Sequence, residues 1–170
     1  QTLKPAIENI FEYYGVDIDY NGSEHKFIIP EFNNSLIYLR SGDKPQRIES
    51  GKYSAVWVDE PGQCKKEVFQ RIITRLNDKD ALIKQIILTG TPEGLNHYYK
   101  EINRTDPKTG KQIYKIILGS PDEIRLNAGE DHIQRLEANL DPLVLREKLY
   151  GEFLNTTSGR VFYAFDEKLI

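Results

Sequence analysis

The sequence contains no methionine and a single cysteine among its 170 residues. Cys64 cannot form an internal disulfide and has no second cysteine or nearby histidine with which to bind a metal, so we interpret it as a small structural residue. No apolar run approaches the roughly 18 residues that a membrane-spanning helix needs, and no signal peptide opens the chain. These absences favour a reducing cytosol without membrane association. Because the chain begins with Gln1 and lacks methionine, we also expect it to be a piece of something longer.

A strong excess of charge of either sign is also absent. The net charge is −3, which argues against a constitutive nucleic-acid-binding surface but not against brief contact with DNA through one loop. The content of 39% hydrophobic and 29% charged residues is that of a soluble globular protein, and the length allows one domain with a substantial core. We find no internal repeat and no low-complexity segment.

The most informative stretch is AVWVDE at residues 55 to 60. Its unbroken apolar run predicts a strand buried on both faces, as in a parallel sheet with helices above and below. Ligands of such sheets gather at the carboxyl ends of the strands, where Asp59 and Glu60 would lie. One carboxylate can hold Mg²⁺ there while its neighbour orients a nucleophilic water, which is the Walker B arrangement of an ATPase. Two solvated acids after a strand explain the same residues.

A second strand is predicted to place a small-hydroxyl motif beside these carboxylates. Apolar residues at helical spacing indicate an amphipathic helix over residues 68 to 77, and a buried strand follows at 86 to 88. Strand, helix and strand with short connections predict a βαβ unit and a parallel sheet. Thr89, Gly90 and Thr91 then lie at the same sheet edge as the carboxylate pair. Their hydroxyls can hydrogen-bond a catalytic water or sense a γ-phosphate, although an isolated TGT is usually just a turn.

The segment before this unit is predicted to hold a helix, which we expect to pack on the sheet, and a hairpin. Asn33-Asn34 is favourable turn chemistry between two strand-like runs. Arg40 and Arg47, just upstream of the carboxylate pair, can approach a phosphate, but arginines at such positions are more often plain surface residues. The predicted elements are a helix over residues 3 to 14, strands over 26 to 30 and 35 to 40, and a loop over 41 to 52.

The segment after the TGT motif contains a local basic cluster. A helix is expected to begin near Asn96 and His97, and a lone histidine is more often a packing or surface residue than a catalyst. Residues 100 to 115 hold five basic and two acidic side chains around a turn, and are either a solvated hairpin or a loop that meets a DNA backbone through Lys108 and Lys111. The remaining predicted elements are a strand over residues 113 to 118, helices from 130 to 140 and from 142 to 149, and an apolar run over 161 to 166.

Three of these segments together resemble the large terminase subunit, the DNA-packaging ATPase of tailed bacteriophages. VWVDEP at residues 56 to 61 looks like its Walker B motif. LTGTPEGLNHYY at 88 to 99 looks like its coupling motif and the helix behind it. LREKLYGEFLNTTSGRVFYAFD at 145 to 166 is similar to the segment that joins its ATPase core to its nuclease domain. The resemblance covers nearly the whole chain and places it in the C-terminal part of the ATPase domain.

The resemblance implies an α/β fold, a partial RecA-like P-loop NTPase core with a parallel sheet flanked by helices. This core would cover residues 1 to 119, with a helical lid or linker over 120 to 170 leading toward a nuclease domain. The implied cofactors are ATP and Mg²⁺. Asp59 would coordinate the metal, Glu60 would be the catalytic carboxylate, and Thr89 to Thr91 would bind nucleotide and couple hydrolysis to DNA movement.

The resemblance also implies partners and a compartment. The partners would be double-stranded DNA, the portal protein and the small terminase subunit, with the intact protein forming a homo-oligomeric ring. The implied location is the cytoplasm of the host bacterium, and no membrane is involved.

The sequence departs from the family pattern because it has no Walker A motif. The Gly-Lys pair at residues 110 and 111 has Thr105 in place of the first glycine and Gln112 in place of Ser or Thr. The phosphate-cradling loop is therefore expected before Gln1 and the nuclease carboxylates after Ile170, so the isolated chain would be an inactive half-site. Two alternatives remain open: a fragment of a DExx helicase, and a non-catalytic module that binds DNA or the portal.

Overall fold

The computed structural model of the chain describes residues 3 to 119 and 121 to 155. Within these ranges the chain forms two small sheets and six α-helices, with short 3-10 helices at Pro30–Phe32 and Pro45–Ser50. In chain order the elements are α1 (Leu3–Tyr13), β1 (Asp19–Asn21), β2 (Lys26–Ile29), β3 (Ser35–Tyr38), β4 (Ala55–Asp59), α2 (Glu67–Arg75), β5 (Gln85–Thr89), α3 (His97–Ile102), α4 (Pro121–Ala128), α5 (Glu130–Asn139) and α6 (Pro142–Tyr150). None of the described helices is long and apolar enough to cross a membrane.

The predicted βαβ unit is present and organises the centre of the chain. Strands β4 and β5 pair in parallel, in a register that sets Asp59 opposite Thr89, and α2 is the crossover helix. The apolar face of α2 buries Val68 and Ile72 against Val58 of β4 and Ile48 of the second 3-10 helix. This mixed α/β arrangement confirms the predicted fold class, and the parallel register brings the ends of both strands to one edge.

The prediction that β4 is buried on both faces is wrong for the described residues. Val58 is 7% exposed because it points into the core beneath α2, whereas Trp57 is 53% exposed on the opposite face, beside its register partner Ile87 at 45%. Side chains alternate along a strand, so a helix on one side covers only every second residue. An apolar run shows that a strand tolerates burial of both its faces, but it does not show whether a second helix or sheet is present to cover the other face.

The N-terminal part forms the predicted hairpin. Strands β1, β2 and β3 make an antiparallel sheet around the fully buried Phe27, and Asn33 and Asn34 take left-handed conformations in the β2–β3 connection. Helix α1 has no fully buried side chain, and its Leu3, Lys4, Ile7, Glu8 and Phe11 are half-buried. Its Lys4 ammonium lies 4.7 Å from the Tyr20 ring centroid on β1. Among the described elements α1 makes no extensive contact with β4 or β5, so the expected packing of this helix on the parallel sheet is not observed.

The segment between α3 and the last helices differs from the prediction. Residues 113 to 118 form no strand. Among the described residues the backbone pairing nearest to them is one isolated bridge between Thr105 and Gln112, so they have no neighbouring strand with which to pair. Helix α4 was not predicted, since its sequence PDEIRLNA lacks a clear apolar stripe. Helices α5 and α6 are confirmed, and Asp141 caps α6 by accepting from Leu143 N at 2.9 Å. The apolar run at 161 to 166 lies outside the described residues.

Candidate active site

The carboxylate pair lies where β4 ends. Asp59 is exposed as the last residue of the strand, and Glu60 follows at φ = 47°, a left-handed conformation that costs a non-glycine residue about 1–2 kcal/mol. Two backbone hydrogen bonds hold this conformation: Glu60 N donates to Thr89 O at 2.8 Å, and Gln63 N donates to Glu60 O at 3.0 Å. The chain therefore turns sharply after Asp59, and the two adjacent carboxylates contact different residues of the TGT motif: Asp59 contacts Thr89, and Glu60 contacts Thr91.

The Thr89 hydroxyl joins β5 directly to Asp59. Thr89 Oγ1 donates to Asp59 Oδ1 at 3.0 Å, and the same hydroxyl oxygen accepts from Trp57 Nε1 at 2.7 Å. Trp57 is a residue of the candidate site that no sequence motif assigns a role. Its position two residues before Asp59, on the same face of β4, was visible in the sequence, but the direction of its indole was not.

The rest of the TGT motif packs against Glu60. Thr91 N donates to Glu60 Oε2 at 3.5 Å, at the outer limit of a hydrogen bond. A Cβ atom on Gly90 would lie 2.8 Å from Pro61 Cδ and 3.2 Å from Glu60 Oε2, so only glycine allows this approach. The structure thus brings together the five residues predicted at this edge, Asp59, Glu60, Thr89, Gly90 and Thr91. Their catalytic roles stay predictions.

Helix α3 supports the turn that follows Glu60. Asn96 caps the helix by accepting from Tyr98 N at 2.9 Å and Tyr99 N at 3.2 Å. His97 donates through Nε2 to the carbonyl oxygen of the buried Pro61 at 3.2 Å, and its ring meets the edge of Phe69. The histidine therefore fastens α3 to the turn and to α2, in line with the packing interpretation.

Two ionisable side chains beside the pair are held in their neutral forms. Burial raises the pKa of the Tyr98 hydroxyl, and the negative charge of Glu60 raises it further. Burial likewise raises the pKa of the Cys64 thiol, with smaller contributions from the charges of Asp43 and Asp59. Cys64 donates through Sγ to Glu60 O at 3.8 Å and packs behind the turn, as expected of a structural residue.

A buried carboxylate that the sequence analysis missed lies behind this edge. Glu147 on α6 is 7% exposed, and its Oε1 accepts from Gly94 N at 2.9 Å and Leu154 N at 3.4 Å. Phe153 packs nearby, with ring centroids 5.6 Å from Tyr98 and 5.2 Å from Tyr99. Glu147 occupies an ordinary polar position in the sequence of its helix, so no local pattern could have identified it.

The predicted basic residues lie elsewhere. Lys108 and Lys111 are exposed on a turn in which Asp106 Oδ1 accepts from the backbone N–H groups of Lys108 and Thr109. Within the described residues neither lysine forms an ion pair or contacts the carboxylate pair. Arg40 donates to the Glu24 and Leu39 carbonyl oxygens and stacks over the Tyr38 ring, so its guanidinium is engaged in the antiparallel sheet.

The carboxylate oxygens at the end of β4 suit a hard divalent cation whose remaining ligands come from water or from a bound nucleotide. No cluster of three or more His, Cys, Asp or Glu side chains that could hold a metal occurs in the described part of the chain. Asp59 and Glu60 supply carboxylate oxygens, which Mg²⁺ accepts readily, usually together with water and substrate phosphates. The site therefore fits Mg²⁺ bound with a nucleotide better than Mg²⁺ bound alone.

The comparison with known families identifies the chain. A family model described as "Terminase large subunit, T4likevirus-type, N-terminal" matches residues 4 to 169. The chain belongs to this family. The resemblance noted in the sequence is thereby confirmed. The family model covers the N-terminal part of the large subunit, whereas the sequence analysis assigned the chain to the C-terminal part of the ATPase domain within it.

Two solved structures of a large terminase from a thermophilic bacteriophage have the same fold. One matches with a TM-score of 0.69 at 14% identity and covers 95% of this chain and 39% of that one. The other, in complex with ADP, matches with a TM-score of 0.70 at 13% identity and covers 98% and 40%. This terminase chain thus spans about two fifths of the length of those proteins. No curated protein sequence matches it.

Proposed function

We propose that this chain carries the Walker B and coupling motifs of the ATP-driven motor that moves viral DNA into the procapsid. The contact between the carboxylate pair at the end of β4 and the TGT motif at the end of β5 is the observation that carries this proposal. A metal-binding acid, a water-orienting acid and a neighbouring hydroxyl motif are the parts that an ATPase needs at this edge. The large terminase of the thermophilic bacteriophage was solved in complex with ADP, which supports an adenine nucleotide as the ligand.

Each residue then has a distinct role. Asp59, exposed and oriented by Thr89, is the carboxylate available to Mg²⁺, which neutralises phosphate charge when it is bound with ATP. Glu60, which follows at the left-handed turn after β4 and accepts from Thr91 N, orients the attacking water. Thr91, whose N–H faces Glu60, links the position of that carboxylate to the loop that runs on into α3.

The proposal extends to partners. The substrate is double-stranded DNA, contacted through the exposed turn that bears Lys108 and Lys111. Since packaging motors work at the procapsid, the portal protein, the small terminase subunit and further copies of the large subunit in a ring are the proposed assembly partners. The proposed location is the cytoplasm of the infected bacterium.

The chain on its own is proposed to be inactive, because the sequence carries no GxxxxGK[ST] loop to hold the β- and γ-phosphates. Purified 170-residue protein with Mg²⁺ and ATP should release phosphate only at background rate. Turnover that Glu60→Gln abolishes would show that the site is complete without a Walker A loop.

The decisive experiment uses the full-length large subunit that contains this chain. Glu60→Gln should bind Mg-ATP with nearly unchanged affinity and hydrolyse none, because the water-orienting carboxylate is lost while the metal-binding acid remains. Asp59→Ala should also weaken the Mg²⁺-dependent part of nucleotide binding. Glu137→Gln, at an exposed position of α5 away from the carboxylate pair, is the matched control and should behave as the parent. Hydrolysis by Glu60→Gln at the parental rate would refute the assignment.

A further inference from the structure

Two consecutive hydrogen bonds link three side chains on one face of the parallel sheet, those of Trp57, Thr89 and Asp59. The indole Nε1 lies 2.7 Å from Thr89 Oγ1, and that hydroxyl lies 3.0 Å from Asp59 Oδ1. Trp57 and Asp59 are two residues apart on β4, and Thr89 is the register partner of Asp59 on β5. The three side chains therefore stand on the same face because of strand alternation and parallel register.

The donors and acceptors in these two hydrogen bonds can be arranged in one way only. An indole N–H is solely a donor, and an ionised carboxylate is solely an acceptor. The Thr89 hydroxyl must accept from Trp57, and its single proton must then go to Asp59. That proton is committed, so Thr89 cannot donate at the same time to a γ-phosphate. Of the two hydroxyls that the sequence suggested as sensors, only that of Thr91 is free of this bond.

The indole is suited to this task because it is rigid. A tryptophan side chain has two rotatable bonds and carries its donor at a fixed place on the ring, so it can hold a hydroxyl on the neighbouring strand in one orientation. The exposed Asp59 carboxylate, by contrast, would turn freely at the end of the strand. Fixing one of its oxygens through Thr89 leaves the other oxygen to face a ligand.

We propose that Trp57 is a positioning residue for the metal-binding carboxylate. It orients the Thr89 hydroxyl, which holds Asp59 Oδ1 and leaves Oδ2 available to the divalent cation that accompanies the nucleotide. This inference rests on the proposed role of Asp59, which Thr89 orients, and adds Trp57 to it. Groups that hydrogen-bond a metal-binding side chain typically change metal affinity about 10–100-fold when they are removed.

The first measurement tests the hydrogen bonds in the 170-residue chain itself. Trp57 is its only tryptophan, so a ¹H–¹⁵N spectrum contains one indole N–H resonance that needs no assignment. Thr89→Val, which keeps the shape of the side chain and removes the hydroxyl, should shift this resonance and accelerate its hydrogen exchange at least several-fold. Thr105→Val, on the distant turn, is the matched control and should leave it unchanged. An indole resonance that Thr89→Val does not affect overturns the proposal.

The second measurement tests positioning, with Mn²⁺ alone as the probe. Bound at Asp59, the paramagnetic ion should broaden the indole resonance, which is two hydrogen bonds away, and Asp59→Asn should abolish the broadening. The Mn²⁺ affinity, measured by electron paramagnetic resonance, should fall about tenfold in Thr89→Val and in Trp57→Phe. The Thr89→Val result keeps the test informative if Trp57→Phe fails to fold.

The outcomes separate this inference from the proposed function. Mn²⁺ binding that depends on Asp59 but has equal affinity in the parent, Thr89→Val and Trp57→Phe overturns the positioning role and leaves Asp59 as the metal ligand. Mn²⁺ binding that survives Asp59→Asn, or that is absent both from this chain and, with ADP added, from the full-length subunit, overturns the metal role of Asp59 itself and the inference with it.

Discussion

Glu147 Oε1 accepts a hydrogen bond from the backbone N–H of Gly94 at 2.9 Å, across 53 positions of sequence. This bond ties α6 to the loop that follows the TGT motif, so the last helices are not independent of the edge that bears the carboxylates. Lys148 reaches toward Glu93 of the same loop, with 4.0 Å between Nζ and Oε1. The loop that begins at Thr91 is therefore anchored to α6 by two contacts.

Loss of this carboxylate is expected to destabilise the fold. Glu147→Ala leaves the buried Gly94 N–H without its acceptor, which should lower the free energy of unfolding by about 1–3 kcal/mol. Glu147→Gln keeps an acceptor oxygen and should lose less. Urea denaturation measures both, with Glu137→Ala at an exposed position of α5 as control. Equal losses for Glu147→Ala and Glu137→Ala would contradict the structural role of the bond.

The left-handed backbone at Glu60 predicts an unusual order of stabilities. Glu60→Ala and Glu60→Gly both remove the carboxylate, but only glycine relieves the strain at φ = 47°. After allowing for the greater freedom of glycine in the unfolded chain, Glu60→Gly should be the more stable of the two by about 0.5–1 kcal/mol. Thermal or urea unfolding of the two variants gives the answer, and a more stable Glu60→Ala would show that the residue is not strained.

Thr91→Ala is expected to separate packaging from hydrolysis in the full-length subunit. The backbone N–H that faces Glu60 is kept, so ATP turnover should fall only modestly, whereas the hydroxyl proposed to sense the γ-phosphate is lost. Packaged DNA per ATP hydrolysed should therefore drop. Thr105→Ala serves as the control. If packaging and hydrolysis decline in equal proportion, Thr91 is an active-site residue without a coupling role.

Neutralising the exposed turn should weaken DNA engagement in a salt-dependent way. Lys108→Gln with Lys111→Gln removes two cations that form no ion pair with the described residues. The slope of log K against log salt should fall by about 0.9 for each DNA phosphate that the variant no longer neutralises. Lys79→Gln with Lys84→Gln, two exposed lysines before β5, is the matched pair and should leave the slope unchanged. Identical slopes in both double variants would support the solvated-hairpin interpretation.

The raised pKa of the Tyr114 hydroxyl predicts that the folded chain loses stability at alkaline pH. Burial raises the pKa of its hydroxyl to about 12, helped by its hydrogen bond to Glu101 Oε1 at 2.9 Å. The folded chain keeps this proton above pH 10, where the unfolded chain releases it, so this contribution to stability is complete below pH 10 and is lost as the pH rises toward 12. Tyr114→Phe should flatten the fall in urea-unfolding free energy between these values. An unchanged pH profile would contradict a half-buried Tyr114 hydroxyl that is hydrogen-bonded to Glu101.

The sequence by itself determined the central unit and the edge at which the candidate site lies. Two apolar runs separated by an amphipathic helix leave few alternatives to a parallel pair, and strand polarity then places Asp59 and Thr89 at the same end. Local sequence also predicted the hairpin at Asn33-Asn34 and the helix that begins at Pro142, because turn and capping preferences depend on a few neighbouring residues.

Only the tertiary structure decided how those parts meet. The indole of Trp57 is oriented by Thr89, and Glu147 is buried against Gly94, so both arrangements depend on residues tens of positions away. The periodic pattern of apolar residues within one segment carries no information about such distant partners. Residues 113 to 118 have the composition of a strand but no partner ladder in the described chain. Local propensity selects what a segment can become, and long-range packing selects which contacts it makes, because hydrogen-bond partners and covered faces are properties of the assembled fold.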